Sequence, residues 1–171
     1  MRVGIGYDSH RFDPGRALIL GGVAIPDHAG LKGHSDGDAV AHALIDAILG
    51  AAGLGDIGRH YPDSDPRWLG ADSMELLSEV VRLVTDRGYR VVNVDTTIIA
   101  ETPRLSPWVD AIAERIADRL QVARSSVSLK GKTNEGMGWI GRGEGLAVLV
   151  VALLDETGDT ETPQDTIRSG G

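Results

Sequence analysis

The sequence predicts an α/β protein of the α+β type, in which one domain carries helices on one face of a mixed β-sheet. The 171 residues suffice for one domain with a sizeable core but not for two. Segments typical of strands and of helices follow one another without strict alternation. Residues 146–154 are apolar on both faces, which is typical of a central strand buried on both sides. The sheet face without helices therefore needs a cover, and we expect a further copy of the chain there.

Strands are predicted where alternating apolar or β-branched residues lie between turn signals. Residues 2–7 form the first, which we expect to end where Asp8 begins a polar stretch. Residues 17–25 predict two short strands around the Gly21-Gly22 turn. Further strands are predicted at residues 90–100, 126–133 and 146–154.

Apolar residues at helical spacing predict three helices, at residues 35–52, 71–87 and 106–120. Ser35 and Asp38 resemble an N-terminal capping pair for the first helix, and Pro107 suits the first turn of the third. The stretch 55–68 is rich in glycine, proline and aspartate, so we expect a loop there.

Composition and charge exclude several classes of function. The chain has no cysteine, which excludes disulfides, thiolate zinc sites and cysteine nucleophiles. Residues 155–171 hold five acidic residues and one arginine of a chain whose net charge is −8, and we expect a flexible acidic tail after a domain of residues 1–154. The remaining body is only mildly acidic, which argues against nucleic acid as a partner. No stretch has the length of a membrane span or the pattern of a leader, so we expect a cytoplasmic protein that binds no membrane.

Two glycine-rich motifs look like nucleotide-binding fingerprints but lack the required context. Residues 136–141, GMGWIG, match the dinucleotide pattern, yet a strand rather than a helix is predicted after them. Residues 131–133, GKT, match the end of a P-loop, but Ser126 stands where that pattern needs glycine. Lys130, Lys132 and Thr133 remain candidates for contact with phosphate.

A metal site is the strongest chemical hypothesis. Side chains two apart on a strand share a face, so Asp8 and His10 can reach one ion. His42, on the first helix, supplies a third ligand, and two histidines with one carboxylate suit a catalytic divalent metal, zinc being the default. Asp38 and Asp46 lie four residues before and after His42, and we expect one of them to orient its other ring nitrogen. From spacing alone, a solvated turn and a hydrogen-bonded core histidine remain alternatives.

Other polar clusters carry a functional and a structural interpretation. His34 and Ser35 lie at a predicted helix N-terminus, which suits an anion, with a simple helix cap at Ser35 as the structural alternative. The acidic loop at 56–65 suits sugar hydroxyls or is merely solvated. Glu135 suits a harder cation such as magnesium, whereas a pair of Arg142 with Glu144 is more often structural.

Several longer motifs resemble a known family. The stretches GYDSHRF, LILGGVAIP, HSDGDAVAHALIDAILGAAGLGDIG, NVDTTIIAETPRLSP and KTNEGMGWIGRGEG are similar to those of the 2-C-methyl-D-erythritol 2,4-cyclodiphosphate synthase family. The resemblance covers residues 1–154. It implies a homotrimer with active sites between subunits and sheets facing inward. It also implies cyclisation of 4-diphosphocytidyl-2-C-methyl-D-erythritol 2-phosphate with release of CMP, in the non-mevalonate route to isoprenoids.

The resemblance assigns roles to individual residues of this chain. Asp8, His10 and His42 match the family's zinc ligands, and Glu135 matches the ligand of a magnesium or manganese ion. His34 and Thr133 match the catalytic residues that polarise the diphosphate. The implied substrate-binding set is Asp8, Ser9, His10, His34, Ser35, Asp56, Ile57, Gly58, Tyr61, Pro62, Asp63, Ser64, Asp65, Ala100, Glu101, Thr102, Pro103, Arg104, Leu105, Lys132, Thr133, Asn134, Glu135 and Arg142.

Departures from the family pattern leave those ligands in place. Glu101 adds a negative charge beside the expected cytidine pocket, which residues 100–105 and Lys132 of an adjacent subunit are expected to form. Two alternatives stay open at this point. One is a two-histidine, one-carboxylate iron oxygenase, which usually has an all-β barrel. The other is a non-catalytic trimer that binds an isoprenoid diphosphate in its channel.

Overall fold

Five strands form one mixed sheet in the computed structural model, which describes residues 1–157. They are β1 (Arg2–Leu20), β2 (Val23–Leu31), β3 (Tyr89–Ile99), β4 (Val127–Lys132) and β5 (Gly145–Glu156). Their order across the sheet is β2-β1-β5-β3-β4. All neighbours are antiparallel except β3 and β4, which are parallel. The predicted mixed sheet of a single α/β domain is confirmed.

The described helices lie between these strands. They are α1 (Ala39–Ala52), α2 (Ile57–His60), α3 (Ser73–Thr85), α4 (Val109–Leu120) and α5 (Gly138–Gly141), with 3₁₀ turns at Pro66–Trp68 and Arg124–Ser126. The three predicted long helices are α1, α3 and α4. Within residues 1–157, none of the helices combines the length and apolarity that crossing a membrane requires.

The first strand does not end at Tyr7, as the sequence predicted. β1 continues through the polar stretch to Leu20. Its first half pairs with β5, and Asp8 opposite Val148 and His10 opposite Leu146 keep the register. Its second half pairs with β2. Because backbone groups form the ladder, polar side chains can point into a site while the strand continues.

The N-cap of α1 is Asp38 and not Ser35, so the predicted capping pair is wrong. The Asp38 carboxylate accepts the backbone N–H groups of Val40 and Ala41, at 3.0 and 3.1 Å. It also accepts those of Gly21 and Gly22, at 2.9 and 2.7 Å. These two glycines form the turn between β1 and β2 and have positive φ angles. One buried carboxylate therefore ties the start of α1 to that turn.

Other boundaries differ by short segments. The predicted loop at 55–68 contains the short helix α2, the glycine-rich stretch after β4 contains the short helix α5, and α4 begins two residues after Pro107. α5 lies inside the GMGWIG stretch, and β5 follows it, so the dinucleotide context is missing. β5 ends at Glu156, so the first two residues assigned to the acidic tail belong to the strand. Residues 158–171 of that tail lie outside the described residues.

The core lies between the sheet and the long helices. β5 is the central strand, as predicted, and its side chains from Leu146 to Leu154 at even positions are fully buried on this side. On the opposite side, Leu149 and Val151 are 36% and 41% exposed in the single chain, and this is the face for which the sequence predicts cover by a further copy. Tyr7 and Ile5, their partners on the neighbouring strand β1, are also exposed. The apolar outer face consists of Val3, Ile5, Tyr7, Leu149 and Val151.

Two glycines let α1 lie directly on β1. A Cβ atom at Gly4 would lie 1.9 Å from the carbonyl oxygen of Ala47, and one at Gly6 would lie 1.9 Å from that of Ala43. The helix presents only small side chains here, at Ala43, Ala47 and Ala51. Gly4, Gly6, Asp8 and His10 share one face of β1 by the two-residue period. The close approach therefore brings α1 against the face that carries the candidate ligands.

The substitution Gly6→Ala tests this close approach. Its methyl group overlaps the α1 backbone, so we expect the free energy of unfolding to fall by about 3 kcal/mol. The matched control is Gly50→Ala, because a Cβ at this exposed helical position meets nothing closer than 4.0 Å. It should raise the free energy of unfolding by up to about 1 kcal/mol. Denaturant unfolding measures both, and equal stability of the two variants would refute the packing argument.

Candidate active site

Three side chains from two elements meet at the helix-facing side of β1. Asp8 Oδ2 lies 3.1 Å from His10 Nδ1 and 3.2 Å from His42 Nδ1. The two imidazole rings are 5.2 Å apart between centroids. Each of the three residues offers a ligand atom within 4.8 Å of the others, and all are half-buried. The structure thus brings together the three predicted metal ligands.

The donor atoms of this cluster fit a divalent cation. His10 Nδ1 is buried and has no hydrogen-bond partner among the described residues, because Asp8 is near it but not aligned with it. A buried nitrogen without a partner is costly unless something else binds it. Burial acts to raise the pKa of Asp8, but the two imidazoles outweigh it and lower that pKa. Asp8 is therefore an ionised ligand beside two nitrogen donors, a set that suits zinc.

The other ring nitrogen of His42 is held by two serines. Its Nε2 lies 3.0 Å from Ser35 Oγ and 2.9 Å from Ser73 Oγ. Neither predicted aspartate does this. Asp38 caps α1, and Asp46 accepts the backbone N–H of Ile57 at 2.7 Å, fixing the start of α2. The expected carboxylate partner of His42 is therefore wrong.

A cavity of about 560 Å³ opens beside the cluster. This volume lies in the usual range for small-molecule sites. Its lining consists of eleven of the predicted site residues together with Arg11, Lys32, Gly33, Trp68 and Leu76. The predicted ones are Asp8, Ser9, His10, His34, Ser35, His42, Ile57, Gly58, Tyr61, Pro62 and Asp63.

Three predicted residues of the acidic loop do not line this cavity. Asp56 caps α2 by accepting the N–H of Arg59 at 2.9 Å. Asp65 forms an ion pair with the exposed Arg67, which lowers the pKa of this carboxyl group through their hydrogen bonds. Ser64 is exposed. Helix capping by Asp56 and an ion pair of Asp65 thus account for these two aspartates without a ligand.

His34 lies on the cavity wall in a loop held by Arg16. The Arg16 guanidinium donates to the carbonyl oxygens of Gly33, at 2.5 Å, and of Ser35. Those carbonyls flank His34 on both sides along the chain. His34 Nε2 is buried and has no hydrogen-bond partner among residues 1–157. This nitrogen is therefore available to a ligand.

The predicted nucleotide residues form a second, separate cavity of about 460 Å³. Ala100, Glu101, Pro103, Arg104, Leu105, Lys132 and Thr133 line it. Thr102 lies outside that lining, with its hydroxyl 3.0 Å from His28 Nε2. Within one chain, the structure does not unite this group with the metal cluster.

Glu101 has a structural role that the sequence did not reveal. Its carboxylate accepts the backbone N–H groups of Asn134 and Gly136, at 2.9 and 3.1 Å. It thereby holds the loop that carries Glu135, whose carboxylate accepts the Thr133 hydroxyl at 3.1 Å. The negative charge of Glu101 is thus stabilised by two backbone N–H donors.

Arg142 lies outside both cavities and donates to Glu144 at 2.7 Å. Glu144 lines a third cavity of about 360 Å³ with Ser9, His10, Arg11 and Trp139. The ion pair expected from the sequence is present. Through Glu144 it adjoins this third cavity, and Arg142 does not line the first cavity.

Sequence reasoning missed the basic residues Arg11 and Lys32, Trp68, and the buried Ser73. The basic side chains add two positive charges to the first cavity, which suits phosphate. Alternation along β1 puts Arg11 on the face opposite His10, so the strand pattern argued against it. Ser73 follows Asp72, the N-cap of α3, and a residue next to a cap carries no signal of a distant contact.

The mixed sheet and its Asp–His–His cluster define a small α/β protein with a candidate divalent-metal centre. A family model, described as the YgbB family, matches residues 1–155. The chain therefore belongs to the YgbB family. An all-β oxygenase barrel is excluded by this fold.

Named relatives extend the comparison over nearly the whole chain. The 2-C-methyl-D-erythritol 2,4-cyclodiphosphate synthase of Symbiobacterium thermophilum is 56% identical over 154 residues, which are 90% of this chain and 98% of that protein. A structure of 2C-methyl-D-erythritol-2,4-cyclodiphosphate synthase in a CDP-bound form has a TM-score of 0.83 at 40% identity, covering 90% of this chain and 100% of the other. The bifunctional IspDF of Campylobacter jejuni has a TM-score of 0.88 at 44% identity over 91% of this chain, which spans 42% of that longer chain.

Elemental analysis tests the metal cluster. Purified protein should hold about one zinc per chain, and His42→Ala should lose it, because two remaining ligands bind zinc weakly. His28→Ala is the matched control, since His28 contacts Thr102 and lies outside the cluster. Zinc retained by His42→Ala, or lost equally by both variants, would contradict the site.

Proposed function

We propose that this protein catalyses the reaction for which its relatives are named, the formation of 2-C-methyl-D-erythritol 2,4-cyclodiphosphate. The proposed substrate is 4-diphosphocytidyl-2-C-methyl-D-erythritol 2-phosphate, and the product is an isoprenoid precursor of the non-mevalonate pathway. The Asp8–His10–His42 cluster in the wall of a cavity carries the proposal. The 56% identity with a synthase of that name supports it.

The substrate supplies its own nucleophile. An oxygen of the 2-phosphate attacks the β-phosphorus of the diphosphate, and the bond from that phosphorus to the bridging oxygen breaks, so CMP leaves with the bridging oxygen. The protein's task is to fold the substrate so that the two groups meet in line. Such positioning is worth about 7–11 kcal/mol of the barrier. A cavity with cationic and polar walls suits this task.

The residues of the first cavity divide this work. Asp8, His10 and His42 would hold a zinc ion, which when bound acts as a Lewis acid on a phosphoryl oxygen. His34 offers its unpartnered Nε2 to an oxygen on which charge grows. Arg11 and Lys32 attract the phosphate groups and offset their charge.

The second cavity is proposed as the cytidine pocket. Apolar walls from Ala100, Pro103 and Leu105 suit a base, and Lys132 suits the neighbouring phosphate. The CDP-bound form of a relative with a TM-score of 0.83 supports a cytidine nucleotide. Thr133 would donate a hydrogen bond to the diphosphate. Glu135, together with the phosphates, would hold a magnesium or manganese ion that screens the charge of the diphosphate.

A homotrimer explains two observations at once. The apolar outer face leaves Val3 and Ile5 about two-thirds exposed, at 68% and 66%, in the single chain. A patch of this kind on a sheet is typical of a subunit interface. The metal cluster and the nucleotide residues also line separate cavities. We propose that packing of these faces joins the first cavity of one subunit to the second cavity of its neighbour, in a cytoplasmic enzyme without a nucleic-acid or membrane partner.

Substitution of Glu135 tests the second metal. Glu135→Gln removes the charge of this ligand, so we expect CMP release to fall at least about tenfold and extra magnesium to restore part of it. Glu114→Gln, on the exposed side of α4, is the matched control and should not change the rate. CMP and the cyclic diphosphate are measured with the cytidyl substrate, zinc and magnesium. An unchanged rate in Glu135→Gln refutes the second-metal role, whereas a wild-type protein that binds substrate without releasing CMP favours the non-catalytic alternative.

Mixed oligomers test whether the site lies between subunits. His42→Ala and Thr133→Ala should each be nearly inactive alone, since each damages every site. If each site takes His42 from one subunit and Thr133 from the next, random mixing leaves about one site in four intact. Co-expression should therefore restore about a quarter of wild-type activity. No restoration in verified mixed trimers would place both residues of a site in one subunit.

A further inference from the structure

Ser73 connects His42, a proposed metal ligand, to the carboxylate of Asp36, which is not among the proposed ligands. Its side chain is fully buried at the first residue of α3. Its Oγ lies 2.9 Å from His42 Nε2 and 2.5 Å from Asp36 Oδ1. The three groups come from α1, α3 and the loop before α1. Their arrangement favours one of the two His42 ring nitrogens as the one that carries the proton.

The carboxylate of Asp36 fixes the direction of the serine hydroxyl. Asp36 Oδ2 accepts the backbone N–H of Ser73 at 3.1 Å, and Oδ1 accepts that of Asp38 at 3.1 Å. These bonds orient the carboxylate, which can only accept. The hydroxyl of Ser73 has one proton, and the charged oxygen at 2.5 Å is its strongest acceptor. The Ser73 hydroxyl oxygen therefore directs a lone pair, and not its proton, toward His42.

An acceptor at Nε2 requires a proton on Nε2. In a neutral imidazole the other nitrogen, Nδ1, then carries the lone pair. Nδ1 lies 3.2 Å from Asp8 Oδ2, and this carboxylate competes for the proton as long as no cation lies between the two groups. The partners on the Nε2 side agree with a proton on Nε2. Ser35 Oγ accepts the N–H of Gly37 at 3.3 Å, and its hydroxyl lies 3.1 Å from Ser73 Oγ, which has a second lone pair for it.

We propose that Asp36 and Ser73 are positioning residues that fix His42 as the Nε2–H tautomer and so keep Nδ1 free to bind a divalent cation. The inference rests on the metal site of the proposed function, but not on the reaction. Without the pair, Ser35 alone faces Nε2, and its hydroxyl can donate as well as accept. His42 would then divide between two tautomers, one of which cannot bind the cation through Nδ1.

The imidazole nitrogens report the tautomer directly. ¹⁵N NMR at about pH 9, well above the usual imidazole pKa of about 6.5, distinguishes protonated from unprotonated ring nitrogens. The spectra are recorded on metal-free protein that carries Asp8→Ala, because this substitution removes the carboxylate that competes for the proton at Nδ1. In this background His42 should show a proton on Nε2 only. Ser73→Ala and Asp36→Asn should show both tautomers, since the amide introduced by Asp36→Asn can donate to Ser73 and release its hydroxyl proton toward His42. With Asp8 in place, zinc affinity should fall about 10- to 100-fold in both Ser73→Ala and Asp36→Asn.

Asp72→Ala separates positioning from stability. Asp72 is the exposed N-cap of α3, and its carboxylate accepts the N–H of Met74 at 2.8 Å without touching His42. This control should weaken α3 yet leave the tautomer and zinc affinity unchanged. An equal loss of affinity in Asp72→Ala, or an unchanged tautomer in folded Ser73→Ala and Asp36→Asn, overturns the inference. A wild-type protein that binds no zinc contradicts the proposed function, while the tautomer in the Asp8→Ala background still tests this inference separately.

Discussion

The direct packing of α1 on β1 is the constraint on which the site depends. Gly4 and Gly6 leave no side chain between the strand and the helix backbone, so the two elements approach as closely as backbones allow. Two and four residues further along the same strand face, Asp8 and His10 meet His42 from the helix. A larger residue at Gly4 or Gly6 would push the helix away and separate the imidazole from its partners. Packing and ligand geometry are thus one property of the β1–α1 pair.

Buried polar groups then lock the pair in register. The Asp38 carboxylate joins the start of α1 to the turn after β1 through four backbone N–H groups. Ser73 joins His42 to α3. Such groups are costly inside a protein unless every donor and acceptor is paired, and here the pairing holds three elements around one cluster. Among the described residues, the buried side-chain nitrogens without a partner belong to His10, His34 and Trp68, which all line the first cavity.

Local patterns in the sequence predicted much of the fold and the ligands, and distant contacts explain what they missed. The two-residue period of β1 identified Asp8 and His10 as neighbours, and helical periodicity placed His42. The capping pair was wrong because the turn at Gly21 and Gly22, far along the chain, offers N–H groups to Asp38. The partner of His42 was wrong because Ser73 comes from another helix. β5 was correctly predicted to be the central strand. The cover of its outer side depends on contacts with other chains, which local patterns in one sequence do not specify.

Anomalous diffraction at the zinc edge tests the central claim most directly, that the close β1–α1 contact assembles one metal centre. Crystals of the zinc-loaded protein should show one strong anomalous peak per chain, about 2.0–2.2 Å from an Asp8 carboxylate oxygen and from Nδ1 of both His10 and His42. A peak away from β1 and α1, or ligation of His42 through Nε2, would contradict the account.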